Sequence, residues 1–374
     1  MTEFRAVQPD LEFIEDVRAS GGETVKRCFQ CATCSVVCAI APDRAPYPRK
    51  EMIWAQWGMA DRLAGDSHVW LCHQCNDCTA HCPRGARPGE VMGGVRAALI
   101  KRLAFPRGLG AMVHDLHYLD VVLVVPAILV ALLVWRFGTL GIPSGPVEYA
   151  KFLPHAALEP FFGLAFFLML GAMVVSGRRF WRAISAGTGR PAGDASWTKA
   201  TMDTLKEVLL HARFKRCTES RSRYLGHLFL FYGFAGLFFV TGVVVVFAVL
   251  GLYPLSLWHP LKVLGNVAGL LFLAGTALLV MDRADREAGR THAYFDWFFL
   301  ILLLVLGVTG MLLMVLRLIL EDPALAYPTY FIHLVTVFVV IILLPYTKFA
   351  HIYYRFLAMV HARMVGIPVG TTRG

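Results

Sequence analysis

A chain of 374 residues that is 57% hydrophobic and 17% charged, with positive mean hydropathy, holds more apolar side chain than a water-soluble domain of this size buries. Its formal net charge of +10 invites a nucleic-acid reading, which is set aside because the basic residues gather beside long apolar runs, where membrane topology and anionic lipid account for them. A disulfide framework is excluded too, since the polar stretch Met1–Asp10 is no secretion signal and a reducing cytoplasm keeps thiols free.

Residues 1–118 read as a soluble, cytoplasmic domain. Leu11, Ile14 and Val17 recur at helical spacing within Pro9–Ala19, and Gly21-Gly22 ends that helix. A first cysteine run follows at Cys28, Cys31, Cys34 and Cys38. Pro48–Leu63 is a second predicted helix, with Trp54 and Trp57 expected as core filling around bulky cofactors. The second run, Cys72, Cys75, Cys78 and Cys82, is closed by Pro83, and Gly89–Leu103 reads as a closing helix. No alternating strand pattern occurs, so the domain is expected to be a helical ferredoxin.

Eight of the nine cysteines lie in these two C-x-x-C-x-x-C-x-x-x-C runs. Three sulfurs at intervals of three surround one concave turn of backbone and match three corners of a [4Fe–4S] cube. In two-cluster proteins the fourth cysteine of each run serves the other cluster. The expected sets are therefore Cys28, Cys31, Cys34 and Cys82 for one cube, and Cys72, Cys75, Cys78 and Cys38 for the second. A structural zinc site wants two C-x-x-C pairs and would leave the later cysteines over. Cys38 is followed by Ala39 rather than proline, which leaves a [3Fe–4S] centre open. The ninth cysteine, Cys217, is read as a bystander in a basic loop.

Residues 119–374 contain six apolar runs, about 119–137, 158–176, 225–251, 261–281, 294–320 and 329–347, each near the length that crosses a hydrocarbon core as a helix. With the N-terminus inside, every Lys and Arg except Arg136, Lys151, Lys262 and Arg317 falls on one side. The positive-inside rule then places the cluster domain and both termini in the cytoplasm, on the inner membrane. The whole chain is predicted to be all-α, a two-cluster ferredoxin domain followed by a six-helix bundle.

His333 and His351 stand near opposite ends of the last run, about 27 Å apart and on one face if the helix is continuous. One histidine at each end suits two b-type haems stacked across the bilayer, each completed from a neighbouring helix. His227, at the cytoplasmic start of the third span, shares the depth of His351 and is paired with it at the inner haem. For the outer haem His333 is paired with His259, with His155 the alternative. Lys262 and His155 are placed near a quinone. Interfacial anchoring is the competing reading of these histidines, and the expected role of His114 and His117. His211, His292 and His361 are expected to face solvent or headgroups, and His68, His73 and His81 to cap local turns or donate to cluster sulfurs.

The two cysteine runs with PRKEMIWAQWG between them resemble the small ferredoxin-like subunit of heterodisulfide reductases. The segments RYLGH, HPLKVLGN and HLVTVFVVIILLPYTKFAHIYYR resemble the cytochrome b subunit of respiratory nitrate reductases. Fused in this order, they are similar to the C subunits of quinone-interacting membrane-bound oxidoreductase complexes. That resemblance implies a conduit between menaquinone or ubiquinone and cytoplasmic flavin and iron–sulfur subunits that work with adenylylsulfate reductase in sulfur metabolism. It implies haem ligands at His227, His333 and His351, whereas near Leu237 apolar residues stand where those relatives carry a second histidine. No catalytic side chain is expected beyond quinone redox. The competing readings are a thiol/disulfide enzyme like full heterodisulfide reductases, which lacks support from any adjacent cysteine pair or G-x-G-x-x-G fingerprint, and a haem-free tethered ferredoxin.

Overall fold

The computed structural model describes residues 8–41, 46–189, 196–211, 221–252, 255–256, 258–286 and 294–367. Cys217 and His292 lie outside the described residues. Among those described there are helices and turns but no strand.

The cluster domain is built from α1 (Leu11–Val17), α2 (Thr33–Val36), α3 (Arg49–Gln56), α4 (Ala60–Ala64), α5 (Ser67–Leu71), α6 (Asp77–Ala80) and α7 (Pro88–Leu103). Asp10 caps α1 by accepting the Phe13 N–H at 2.9 Å, satisfying one of the donors that a helix start leaves open. The predicted helix Pro48–Leu63 is two helices. Gly58 has a φ of +64° and its missing side chain admits the Asp10 backbone, since a Cβ there would lie 2.5 Å from the Asp10 carbonyl oxygen. The chain turns at this point, so Trp57 is 52% exposed rather than in the core. Trp54 is partly buried under Lys50 and Arg62, and the fully buried tryptophan is Trp70.

Helix α8 (Arg107–His114) leads into α9 (Leu119–Phe137), and short α10 (Tyr149–Phe152) precedes α11 (His155–Gly187). After α12 (Trp197–Leu210) come α13 (Arg221–Val249), α14 (Pro260–Arg286), α15 (Tyr294–Leu318), α16 (Pro323–Leu343) and α17 (Ala350–Met364). Among the described residues six helical stretches are long and apolar enough to cross a membrane, and the share of each apolar window buried inside the protein runs from 6% in α13 to only 33%. Side chains such as Phe167, Leu168, Phe238 and Phe239 point outward, as helices dissolved in lipid require. The second helix extends well beyond its apolar run, carrying Arg178, Arg179 and Arg182 towards the cluster domain.

The last span is not one helix from Tyr330 to Tyr353. Proline at 345 offers no N–H and crowds the preceding turn. The chain therefore passes through a tight turn at Leu344–Tyr346 and extended backbone at Thr347 before α17 starts. His333 and His351 thus belong to separate helices, and the helical count that put them on one face does not apply. The turn also corrects the reading of His114: its ring is half-buried, stacks on Phe295 at 4.2 Å, and donates from Nε2 to the Tyr346 carbonyl at 3.1 Å. Burial holds His114 neutral, with its pKa down to about 4. His361 is buried, beside Ser185 and the edge of Trp181, rather than facing solvent.

Two close approaches fix the assembly. Trp70 of α5 meets Phe180 of α11 and Tyr354 of α17 at ring separations of 5.5 and 4.9 Å, and those two meet each other at 5.1 Å. Beside this contact Gly187 of α11 sits on Gly65, where a Cβ would fall 2.3 Å from the Gly65 carbonyl oxygen. Within the bundle, α13 and α14 touch through small residues; a Cβ on Gly275 would lie 2.3 Å from the Leu230 nitrogen. Small residues let helices close where lipid supplies no hydrophobic drive between them. We expect Gly275→Val to lower stability by roughly 1–3 kcal/mol, read as a lower thermal midpoint in detergent. Gly171→Val, where nothing lies within 4 Å, leaves the midpoint in place.

Candidate functional site

The two cysteine runs share one backbone shape. Gln30 and Ala32 in the first, and Gln74 and Asn76 in the second, take left-handed conformations with φ between +54° and +70°. Non-glycine residues hold such angles only where their surroundings fix them. Alternating them turns the intervening cysteines and backbone N–H groups towards one hollow, as in anion-binding nests. The Gln74 and Ala86 N–H groups donate to Cys72 and Cys82 Sγ, each at 3.3 Å. Short helices α2 and α6 follow the two hollows and pack on each other.

The thiols repel one another. Burial pushes Cys34 up to about 11, with Cys28, Cys31 and Cys82 adding to the effect. Cys38, raised to about 11 by burial, is further pushed by Cys72 and Cys34. Cys78 is raised by burial and then by Cys72, Cys75, Cys38 and Cys34. Cys82 thus stands near the first run and Cys38 near Cys72, while Cys34 acts on thiols of both runs. Eight free thiols in crowded sets, with no harder ligand among them, form a donor set that fits iron–sulfur cubes, and burial leaves Cys34, Cys38, Cys75 and Cys78 in need of a metal's positive charge to ionise. Cys72 differs: against its burial, Arg96 and the Tyr47 hydroxyl hold it below the ordinary thiol value.

A cavity of about 470 Å³ lies where the cluster domain meets the bundle. Cys72 and His73 line one wall, and His227 of α13 and His351 of α17 line others. His351 Nδ1 donates to the Lys348 carbonyl, which leaves Nε2 as the lone-pair nitrogen. Arg96, Arg223, Lys348 and Arg355 line it as well, together with the acids Glu90, Glu207, Asp282 and Asp296. Two of these reach across the boundary: Arg355 donates to the Cys72 carbonyl at 2.8 Å and to His73 Nδ1 at 3.0 Å, and Arg223 donates to the Gln74 carbonyl at 2.9 Å. Two imidazoles and several arginines in one space are the side-chain types that would hold a haem and its propionates.

At the other end, Thr309 of α15 donates its hydroxyl to the Val305 carbonyl at 2.7 Å, leaving the oxygen to accept from His333 Nδ1 at 2.9 Å. Gly310 lies against the same ring, and a Cβ there would come within 3.1 Å of His333 Cε1. His259 accepts the Leu261 N–H at 3.2 Å and faces the edge of Phe247. His155 pairs with Glu159 on its own helix at 3.4 Å. Lys262 is partly buried in the first turn of α14. Among the described residues no hydrogen bond or ring contact joins His333 to His259 or Lys262. Of the remaining histidines, His81 caps its own turn through the Asp77 carbonyl, and His117 is exposed beside Asp115.

One cluster escaped the sequence. Lys50 holds both buried carboxylates, Asp66 at 2.8 Å and Glu51 at 3.3 Å, while His68 pairs with Asp66 at 2.9 Å and stacks on Tyr47. Burial and Asp66 push the Glu51 carboxyl well above its ordinary value. Asp66, although buried, is held low by His68 and Lys50. The signal was a charged KE pair inside an otherwise core-facing helix.

These features define a class: a membrane-embedded protein with an iron–sulfur electron-transfer domain. Residues 24–86 match the family described as 4Fe-4S dicluster domain, and residues 109–366 match the family described as Citrate utilization protein B. The chain belongs to the citrate utilization protein B family. It is 29% identical over 369 residues to citrate utilization protein B of Escherichia coli, covering 92% of each chain. Over 84 residues it is 36% identical to the C subunit of the H(2):CoB-CoM heterodisulfide,ferredoxin reductase of Methanothermobacter thermautotrophicus, covering 22% of this chain and 45% of that one. Over 91 residues it is 34% identical to a protein of Archaeoglobus profundus described as like the C subunit of heterodisulfide reductase, covering 24% and 48%. The chain thus spans about half the length of those two relatives. No solved structure matches it.

Lys50→Met removes the cation shared by Glu51 and Asp66 and leaves Asp66 with His68 alone. We expect a loss of about 3–5 kcal/mol, measured as a lower unfolding midpoint of the holo-protein at neutral pH. Lys50→Arg keeps most of the stability.

Proposed function

We propose that this protein is the membrane subunit that passes electrons between a quinone pool and a soluble redox partner. The reading is carried by one observation: a single cavity has the second cysteine run in one wall and His227 and His351 in the others. Cys28, Cys31, Cys34 and Cys82 would hold one [4Fe–4S] cluster, Cys72, Cys75, Cys78 and Cys38 the other, and His227 and His351 the inner b haem. His333 would hold an outer haem with His259, or with His155, and Lys262 and His155 would meet the quinone, menaquinone or ubiquinone, near it. When bound, these groups carry single electrons, a chemistry that belongs to the cofactors.

The chain's own residues do the rest. Arg355 and Arg223 clamp the second run against the helices and keep its distance from the cavity fixed. Arg96 places positive charge beside Cys72 and counters the charge of bound thiolates. Thr309 and the Lys348 carbonyl set the tautomers of His333 and His351, so that Nε2 is offered in each. The distribution of Lys and Arg supports the cluster domain and both termini lying in the cytoplasm. Its partners there are flavin and iron–sulfur subunits. Adenylylsulfate reductase is the partner that the first resemblance favours. The relative matched along nearly its whole length is named for citrate utilization, and this favours a second reading, in which the partner is a flavin enzyme acting on a citrate-like acid.

Redox-difference spectra, with haem extraction and iron and acid-labile sulfide counts on the same purified protein, test the whole scheme. Two b haems with about eight irons are expected. Iron without haem reduces the protein to a tethered ferredoxin. His351→Ala and His227→Ala should each remove the inner haem and spare both clusters, and retention of both haems in either variant overturns the ligand pair. Thr309→Val should weaken outer-haem retention by roughly 10–100-fold and move its potential, with the inner haem unchanged. Equal effects on both haems would show a structural role only.

A further inference from the structure

The two cysteine runs share a backbone but not an environment. The second is tied to membrane helices through Arg355 and Arg223, and Cys72 lines the cavity. In the first, Cys31 is exposed. The domain packs on the bundle through α4, α5 and α7, while α2 of the first run packs on α6.

The surface around Cys31 is unusual in composition. Phe29 and Val36, one on each side of it in sequence, are each 66% exposed. The Arg84 guanidinium lies 4.4 Å from the centre of the Phe29 ring. Arg27 runs past Gly85, with Nη1 about 4.0 Å from where a Cβ would stand. Arg49, at the start of α3, donates its backbone N–H to Ser35 Oγ beside Val36 at 3.3 Å. Three arginines from three segments therefore lie on or next to the segments that expose an apolar pair and a cysteine sulfur. Aromatic and arginine side chains at the centre of an exposed patch are the composition of protein interfaces, and charges of one sign select their opposite.

We infer that the face bearing Phe29, Cys31 and Val36 is the docking surface for the acidic face of a soluble redox protein. This inference rests on the first run holding a cluster, and it makes that run the terminal remote from the membrane. One electron leaves the reduced protein here and reduces one acceptor centre. Arg27, Arg49 and Arg84 steer the acidic partner, and Phe29 seats against it.

The test uses purified holo-protein reduced by titrated dithionite and mixed anaerobically with the acidic soluble domain of cytochrome b5, each ferric haem of which takes one electron, or with basic cytochrome c. Transfer to cytochrome b5 should slow about tenfold between about 20 mM and about 500 mM salt. It should slow similarly in Arg27→Glu/Arg84→Glu at low salt, where transfer to cytochrome c speeds up. Iron content and cluster electron paramagnetic resonance are measured on every sample. Intact cluster signals with rates insensitive to the substitutions overturn the docking surface alone. Absent cluster signals in the wild type overturn the underlying reading as well. The salt response of the wild type needs no variant, and its absence overturns the proposal even if the double variant loses its clusters. Unchanged transfer to cytochrome b5 with lost binding to anionic-lipid vesicles assigns the arginines to the bilayer instead.

Discussion

The contact among Trp70, Phe180 and Tyr354 is the constraint on which the rest depends. It joins the cluster domain to two membrane helices that are far apart in sequence, and all three rings are fully buried. Aromatic rings meeting at tilted or edge-on angles add specific orientation to the area they bury. The glycine seat of Gly65 on Gly187 allows the backbones to close beside them. With that joint made, Cys72 and His73 have one place to go, which is the cavity wall opposite His227 and His351.

Electrostatics follows from the same joint. Crowded thiols, once ionised on a metal, put negative charge at a boundary where water is scarce. The cations of the boundary answer it at different ranges: Arg96 from within the domain, Arg223 and Arg355 from the helices. Lys348 and Arg283 are meanwhile engaged by Asp296, so the bundle end of the cavity keeps a near-balanced set of charges.

Much of this was legible in the sequence because it is written in short-range spacing. The cysteine intervals, the closing helix at Pro88–Leu103 and six apolar stretches each depend on residues close together in the chain. What was missed depends on contacts between distant segments. Arg223 and Arg355 counted in the sequence as topology charges, whereas in the fold they grip the second run. His114 read as an anchor because its partner, the Tyr346 carbonyl, is freed only by the turn at Pro345. Trp57 was assigned to the core and Trp70 passed over, since the reversal at Gly58 is set by the Asp10 backbone and leaves no local mark. The Lys50, Glu51, Asp66 and His68 group was hidden for the same reason: Glu51 lies in α3 and Asp66 caps α5.

The seat of the second cysteine run is completed by α17, the last helix among the described residues. Cys72 leaves the ribosome early, and the arginine that grips its carbonyl follows 283 residues later. At ordinary synthesis rates this interval is roughly 15–60 s. Throughout it the two cysteine runs are already present while the membrane-facing wall is still incomplete. During that interval the second hollow stays open on the side that the finished bundle later closes, whereas the first remains exposed in the finished fold.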